Sequence, residues 1–281
     1  MHLSQLHRLA MRANMTPMLG TWRRLNDERS VTIVMYHSIS PDAGPWTISP
    51  PAFERQIRFL SDTYRIIPLR NIAEALVAKH NLRRVVITFD DAYRNFVEHA
   101  YPVLESLGVS CTMFVPTAHI GKCNQWDAGI EGSQKLEIME ATQLRQIAES
   151  PQVDIGSHTI DHCRMGPLSA HEMRRQAAGS RAALEQFLGR EVVLFAYPWG
   201  QLGDFSNLST QVLAETGYKA AVTTRWGSTN SIKRVLTLRR ISFEDTDSIA
   251  DLRAKVEGDY DWFALKEWVG YTRRRLVAGR A

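Results

Sequence analysis

Short apolar runs alternate with helix-like segments along most of the chain from residue 31 onward. Runs rich in β-branched residues favour strands, and we predict eight: Val31–Met35, Arg65–Ile67, Val85–Phe89, Cys111–Val115, Val153–Gly156, Val193–Tyr197, Ala220–Thr224 and Leu236–Leu238. Helical patterns lie between them: Pro51–Asp62, Asn71–Lys79, Tyr93–Leu107, Ala141–Glu149, Ser169–Leu188, Leu208–Glu215 and Ser248–Val256. Repeated βα units without a G-x-G-x-x-G sequence favour a TIM-like α/β barrel over a dinucleotide-binding sheet.

The two ends of the chain differ in pattern from its middle. Residues 1–29 predict an amphipathic helical extension, residues 30–258 one barrel domain, and residues 259–281 a basic amphipathic helical tail. Each end would either pack on the barrel exterior or make a peripheral contact with a membrane. Arg8 and Arg12 interrupt any secretory signal, and no apolar run approaches the ~18 residues that span a bilayer. We therefore expect a cytoplasmic protein.

The composition is that of an ordinary globular domain and gives little support to nucleic-acid binding. The chain has 281 residues, of which 44% are hydrophobic and 23% charged. Its net charge of +4 is local, because five basic residues and one acidic residue follow from Lys266 to the end. Three scattered cysteines without a CxxC pair predict no disulfide framework and suggest a reducing compartment.

Reactive polar residues follow four of the predicted strands. Asp90 and Asp91 end the third strand, His158 ends the fifth, His37 ends the first, and residues 197–200 end the sixth. In a βα barrel the carboxyl ends of the strands meet at the face where chemistry takes place. Buried carboxylates without a partner cost several kcal/mol, so two adjacent acids at a strand end indicate a function.

The histidine pair predicts a metal site. His158 and His162 are four residues apart, which places two imidazoles on one side of a helical turn. Two histidines and one carboxylate form a site for a catalytic divalent ion, with zinc first and cobalt, nickel or manganese as alternatives. Adjacent strand residues point in opposite directions, so we expect Asp90 and Asp91 to have different tasks, one as ligand and one as base.

These motifs resemble those of the polysaccharide deacetylase family, metal-dependent carbohydrate esterases with a NodB homology domain. The matching segments are residues 88–91, 157–162 and 195–200, within a resemblance that spans residues 31–243. It implies a distorted (β/α)7 barrel that hydrolyses N-acetyl groups on amino sugars. The roles that it implies are Asp91, His158 and His162 as metal ligands, Asp90 as general base, the Trp199 N–H as oxyanion donor, and Tyr197 and Pro198 as substrate contacts.

The chain departs from the family pattern in its third motif and near its end. Ala196 stands where the family has an arginine that supports the base, and Trp199 stands where it has a tyrosine. No histidine follows His171, so the family's late acid histidine is missing. His37 is our candidate acid, as in the branch that includes poly-N-acetylglucosamine deacetylases; otherwise it is a hydrogen-bonded strand-end residue. Arg240 is the candidate replacement for the arginine, or else a solvated surface residue.

The predicted substrate is an N-acetylated amino sugar in a glycan or glycan precursor. A lipid-linked saccharide at the inner membrane face would suit the basic tails, whereas the oligomeric state is not indicated. Trp126 lies in a long connection, residues 118–138, where it either stacks on a sugar or packs beneath the loop. Two alternatives stay open, a C–N hydrolase of a small non-sugar amide and a non-catalytic glycan-binding barrel.

Overall fold

Seven parallel strands close into a barrel in the computed structural model, which describes residues 31–78, 82–129 and 135–278. The strands are β1 Val31–Tyr36, β2 Ser38–Ile39, β3 Thr47–Ile48, β4 Arg65–Ile66, β5 Arg84–Phe89, β6 Cys111–Val115, β7 Val153–Ser157, β8 Leu194–Ala196, β9 Ala220–Trp226 and β10 Leu238–Ser242. The barrel order is β1-β10-β9-β8-β7-β6-β5, and β1 pairs with β5 to close it. β4 pairs with the start of β5, and β2 and β3 form a separate sheet. The predicted seven-stranded barrel is confirmed.

Helices connect the strands and cover the barrel. They are α1 Pro50–Thr63, α2 Ile72–Val77, α3 Tyr101–Ser106, α4 Ala141–Ala148, α5 Ala170–Leu188, α6 Asn207–Glu215, α7 Ile249–Glu257 and α8 Phe263–Ala278. Ser169 caps the start of α5 by accepting the Glu172 N–H, and Gly189 ends it with a φ of 66°. In the three described ranges, no helix has the length and apolar character needed to cross a membrane. The extension predicted for residues 1–29 lies outside those ranges.

Two predicted elements are wrong in position or form. The sequence predicts the last strand at Leu236–Leu238, but β10 runs over Leu238–Ser242. The prediction is misplaced because two arginines give this strand a polar sequence. The segment 93–107 is not one regular helix, since a π-helical turn at Phe96–Ala100 precedes α3. The shift of β10 matters to the chemistry, because it puts Arg240 inside a barrel strand, where it is buried.

An apolar layer lies beneath the carboxyl end of the barrel. Five strands each contribute a side chain to one buried cluster: Val86, Phe114, Ala196, Val222 and Leu238. Alternate residues of a strand share a face, so Thr88 and the position of Asp90 continue the face of Val86 along β5. The polar residues of the site therefore lie directly above a layer of apolar side chains in the barrel.

The residues around Gly156 in β7 are packed so closely that they leave no room for a side chain. A Cβ at this position would lie 2.5 Å from the Phe114 ring and 3.0 Å from the Leu194 carbonyl oxygen. We expect Gly156→Ala to lower the free energy of unfolding by about 1–3 kcal/mol through overpacking, as measured by urea denaturation. Gly179→Ala is the matched control, because its Cβ meets only the flexible end of Ile160 and alanine is favoured in a helix. Equal stability of the two variants would contradict the close packing.

Candidate active site

Asp90 and Arg240 form a buried ion pair at the carboxyl end of the barrel. Arg240 donates from Nη1 and Nη2 to the two carboxylate oxygens at 2.7 and 2.6 Å, a bidentate arrangement. Its Nε donates to the Thr223 carbonyl oxygen at 2.8 Å, and Nη1 also reaches Thr88 Oγ1 at 3.1 Å. Burial favours a raised pKa for Asp90, but Arg240 outweighs it, so the pKa is lowered. Asp90 is therefore ionised and fixed in orientation.

Asp91, His158 and His162 bring three potential ligand atoms within 4.8 Å of one another, and all three residues are buried. The Nε2 atoms of His158 and His162 lie 3.5 and 3.2 Å from Asp91 Oδ1. His158 Nδ1 is 2.8 Å from the Ala196 carbonyl oxygen, which can only accept, so Nδ1 carries the proton and Nε2 the lone pair. Burial lowers the pKa of His158 to about 4, which keeps the imidazole in its metal-binding neutral form.

This triplet fits a divalent metal ion. Among the described residues, Asp91 Oδ1 is buried without a hydrogen-bond partner, although two imidazole nitrogens face it. Orphaned buried polar atoms are rare in folded proteins and indicate a missing partner. Two histidines and one carboxylate would leave positions open for water and substrate around the ion, as catalytic sites require.

Left-handed backbone conformations surround the triplet. Positive φ angles occur at these non-glycine residues of the site: Asp91 (70°), Ala92 (54°), Thr159 (66°), His162 (51°) and Trp199 (62°). Such conformations are disfavoured outside glycine and persist at functional sites where the surroundings impose them. The expectation that Asp90 and Asp91 point in opposite directions is wrong, because β5 ends at Phe89 and both aspartates line one cavity.

The turn after β8 presents a backbone donor. Trp199 has its N–H without an acceptor in the described part of the chain, and its carbonyl oxygen accepts from Thr224 Oγ1. Gly200 follows with a φ of 63°, and a Cβ there would lie 2.6 Å from the Thr224 nitrogen, so the turn needs glycine. Arg164 covers the Trp199 ring at 4.3 Å and donates to Asp204 at 2.7 Å. A fixed, unpaired N–H of this kind can stabilise an oxyanion.

His37 follows β1 and also faces Asp90. Its Nε2 lies 3.8 Å from Asp90 Oδ2, and its side chain is 19% exposed. Trp46, in the connection between β2 and β3, lies with its ring centre 6.0 Å from that of His37 and lines the same cavity. Sequence reasoning missed Trp46, because the sequence around a loop tryptophan does not show where the loop folds.

Two residues predicted to contact substrate do not line the cavity. Tyr197 is completely buried and its ring stacks on that of Phe205 at 4.8 Å. Pro198 is buried in the turn and is also absent from the cavity wall. For Tyr197 the reason is strand alternation: Ala196 belongs to the interior cluster, so the side chain of the next residue faces the helices outside the barrel.

Trp126 packs against one of the metal-site histidines. Its ring is stacked on that of His162 at 3.9 Å with an angle of 20°, and it meets His119 edge-on at 5.0 Å. The side chain is half-buried against the core and lines the cavity. Of the two alternatives for Trp126, the structure favours packing, since one face of the indole already orients His162.

The candidate base, the metal-binding triplet, His37 and Trp199 all line one cavity of about 870 Å³. Four tryptophans line it: Trp46, Trp126, Trp199 and Trp226. Phe263 and Glu267 of α8 line it as well, although the sequence predicted only a peripheral helix there. Trp226 ends β9, so the rule that functional residues follow barrel strands would have found it. The two α8 residues carry no comparable signal, because only the fold shows that the helix returns to the barrel mouth.

Comparisons with known proteins place the chain in a family. A family model described as polysaccharide deacetylase matches residues 78–221, slightly more than half of the chain. The Bacillus subtilis (strain 168) protein YxkH, whose name places it among polysaccharide deacetylases, is 26% identical over 225 residues, covering 79% of this chain and 74% of that protein. The poly-beta-1,6-N-acetyl-D-glucosamine N-deacetylase of Staphylococcus aureus (strain MRSA252) is 24% identical over 184 residues, or 61% of this chain and 60% of that protein.

Solved structures share the fold. The Streptococcus pyogenes deacetylase PplD in complex with acetate superposes with a TM-score of 0.67 at 24% identity, covering 81% of this chain and 98% of that one. IcaB from Ammonifex degensii gives a TM-score of 0.69 at 21% identity, covering 82% of this chain and 97% of that one. These structures show the shared barrel fold, and the family match identifies the chain as a member of the polysaccharide deacetylase family, hydrolases that act on carbon–nitrogen bonds.

Proposed function

We propose that the protein removes N-acetyl groups from amino-sugar residues of a glycan or glycan precursor, using a divalent metal ion held by Asp91, His158 and His162. The observation that carries this proposal is the different partnering of two adjacent carboxylates. Asp90 is held by Arg240, whereas Asp91 faces two histidines. A barrel that only bound glycans would not need a fixed, ionised base beside a metal-binding triplet.

The geometry supports a separate task for each residue of the site. When bound, the metal ion would polarise the acetamide carbonyl and lower the pKa of a water molecule. Asp90, oriented by Arg240, accepts the proton of the attacking water. The Trp199 N–H donates to the oxyanion that develops on the carbonyl oxygen. His37 donates a proton to the departing amine nitrogen, which cannot leave as an anion.

An amino sugar within an oligomer is the substrate class that the cavity supports best. Its tryptophans offer flat apolar faces on which sugar rings can stack. The Staphylococcus aureus relative, named as a deacetylase of poly-beta-1,6-N-acetyl-D-glucosamine, supports a polymer of N-acetylglucosamine or its precursor. The ligand set supports zinc first, with cobalt, nickel or manganese as alternatives. A cytoplasmic location and a peripheral membrane contact stay predictions from the sequence.

Metal removal is expected to abolish acetate release. Protein loaded with zinc should release acetate from oligomers of N-acetylglucosamine, and chelator-treated protein should be slower by roughly a hundredfold or more, because several kcal/mol of carbonyl polarisation is lost. Acetate would be measured enzymatically, and bound metal by atomic emission, with about one ion per chain. His158→Ala should fail to load metal. His171→Ala, an exposed histidine on α5, is the matched control and should load normally.

Three outcomes would contradict the proposal. Acetate release that survives complete metal removal would exclude the metal-assisted route. Turnover of cyclic amides without acetate release from saccharides would favour a small-amide hydrolase. Binding of the oligomers by metal-loaded protein without any acetate release would favour a non-catalytic glycan-binding barrel.

A further inference from the structure

Helix α8 has one side in the catalytic cavity. Phe263 and Glu267 are four residues apart, which places them on the same side of the helix, and both line the cavity that contains Asp90 and the metal-binding triplet. Trp268 and Val269 lie outside the cavity and are 53% and 51% exposed. The helix is therefore a wall of the active-site cleft as well as a surface element.

The start of α8 is fastened to the end of β9. The Glu267 carboxylate accepts the Trp226 N–H with both oxygens at 3.2 Å. The rings of Trp226 and Phe263 lie 5.3 Å apart at 48°. Just before the helix, Asp261 accepts from the Ser228 N–H at 2.8 Å and from its hydroxyl at 3.0 Å. These contacts fix two aromatic rings and one carboxylate as a preformed group.

This group has hydrogen-bonding capacity that the protein does not use. A carboxylate offers about four acceptor positions, and Glu267 receives one N–H. Arg225 and Arg239 act on it electrostatically, but among the side chains that the structure describes none donates a hydrogen bond to it. Trp226 Nε1 is a buried donor with no partner in the described residues. Flat apolar rings beside an acceptor and a donor match a pyranose, which has apolar C–H faces and a rim of hydroxyl groups.

We propose that Trp226, Phe263 and Glu267 form a second sugar subsite, which binds the residue next to the one that is deacetylated. The neighbouring sugar stacks on the aromatic pair, and one of its hydroxyl groups donates a hydrogen bond to the Glu267 carboxylate. This inference rests on the proposed deacetylase function and makes its substrate more specific. The protein should prefer oligomers over a single N-acetylglucosamine.

Length-dependent kinetics test the subsite. For the tetramer of N-acetylglucosamine, Glu267→Gln and Phe263→Ala should each lower kcat/KM about tenfold, mainly through a higher KM, because they remove binding that is common to ground and transition states. For the monosaccharide, kcat/KM should not change. Glu267→Gln retains an oxygen that accepts the Trp226 N–H, so α8 should stay in place, and thermal unfolding would verify this for both variants.

Two variants control for charge and for aromatic loss on the same segment. Asp259→Asn removes an exposed carboxylate, and Trp268→Ala removes an exposed ring from α8; neither residue lines the cavity, so both should match the wild type. An equal fall for monosaccharide and tetramer, or no fall for either, would overturn the subsite. Failure of the proposed function itself is distinguishable, because metal-loaded wild type would then release acetate from neither substrate.

Discussion

Asp90→Asn is expected to lower kcat for acetate release by about 10³-fold while the protein keeps its metal ion. An amide cannot accept the proton of the attacking water, whereas the ligand triplet of Asp91, His158 and His162 remains intact. The amide oxygen can still accept one hydrogen bond from Arg240, but the buried guanidinium loses its counter-charge, so the variant should be less stable, and thermal unfolding would verify that it is folded. Steady-state kinetics and bound metal per chain are the measurements, and KM should change much less than kcat because Asp90 acts on the transition state.

Asp161→Asn provides the matched control for this variant. Asp161 lies between the two histidines of the same motif, but it is exposed and paired with Arg175 at 2.9 Å, away from the cavity. Exposed pairs of this kind contribute about 0–1 kcal/mol, so its activity and stability should stay close to the wild type. Loss of metal in Asp90→Asn would make Asp90 a ligand rather than the base. Undiminished kcat would place the base elsewhere.

The chemistry of the site could be predicted because it follows the barrel rule and short motifs. Asp90, Asp91, His158 and His162 stand directly after apolar runs, and the ends of parallel strands meet at one face. Arg240 could be suggested only from the gap at Ala196, and its strand was misplaced. A strand that carries two arginines has no apolar pattern. The inward-facing arginine, Arg240, is paired with the Asp90 carboxylate, which lies far away in sequence.

The rest of the cleft depends on backbone and long-range packing that local patterns do not encode. The left-handed turn at Asp91 brings both aspartates to one cavity, against the alternation expected for a strand. Trp46 reaches the cavity through a connection without regular pattern, and Glu267 through a helix that folds back onto β9. Tyr197 shows the converse, since its place in the motif predicts a substrate contact, whereas its side chain faces the helices outside the barrel.

Arg240→Met is expected to lower the free energy of unfolding by about 3–5 kcal/mol and to abolish most activity. The change leaves the Asp90 carboxylate buried without its counter-charge, which is more costly than the absence of the whole pair. Without Arg240 the burial of Asp90 dominates, so its pKa should rise above that of the unfolded chain. Protonation then relieves the penalty, and the stability difference from wild type should shrink as the pH falls. Urea denaturation at several pH values would measure both effects.

The pair can be tested as a unit by a double-mutant cycle. Asp90→Asn combined with Arg240→Met removes both charges, and it should be more stable than Arg240→Met alone, because no unpaired carboxylate remains. Arg239, the neighbour of Arg240 on β10, provides the positional control. Its guanidinium forms no hydrogen bond within the described residues, so Arg239→Met should cost less than about 1 kcal/mol. Additive effects of the two single changes would show that Arg240 stabilises the strand and not Asp90. Strong coupling, with activity lost in both single variants, would instead establish Arg240 as the residue that positions the base, in the place that Ala196 leaves open.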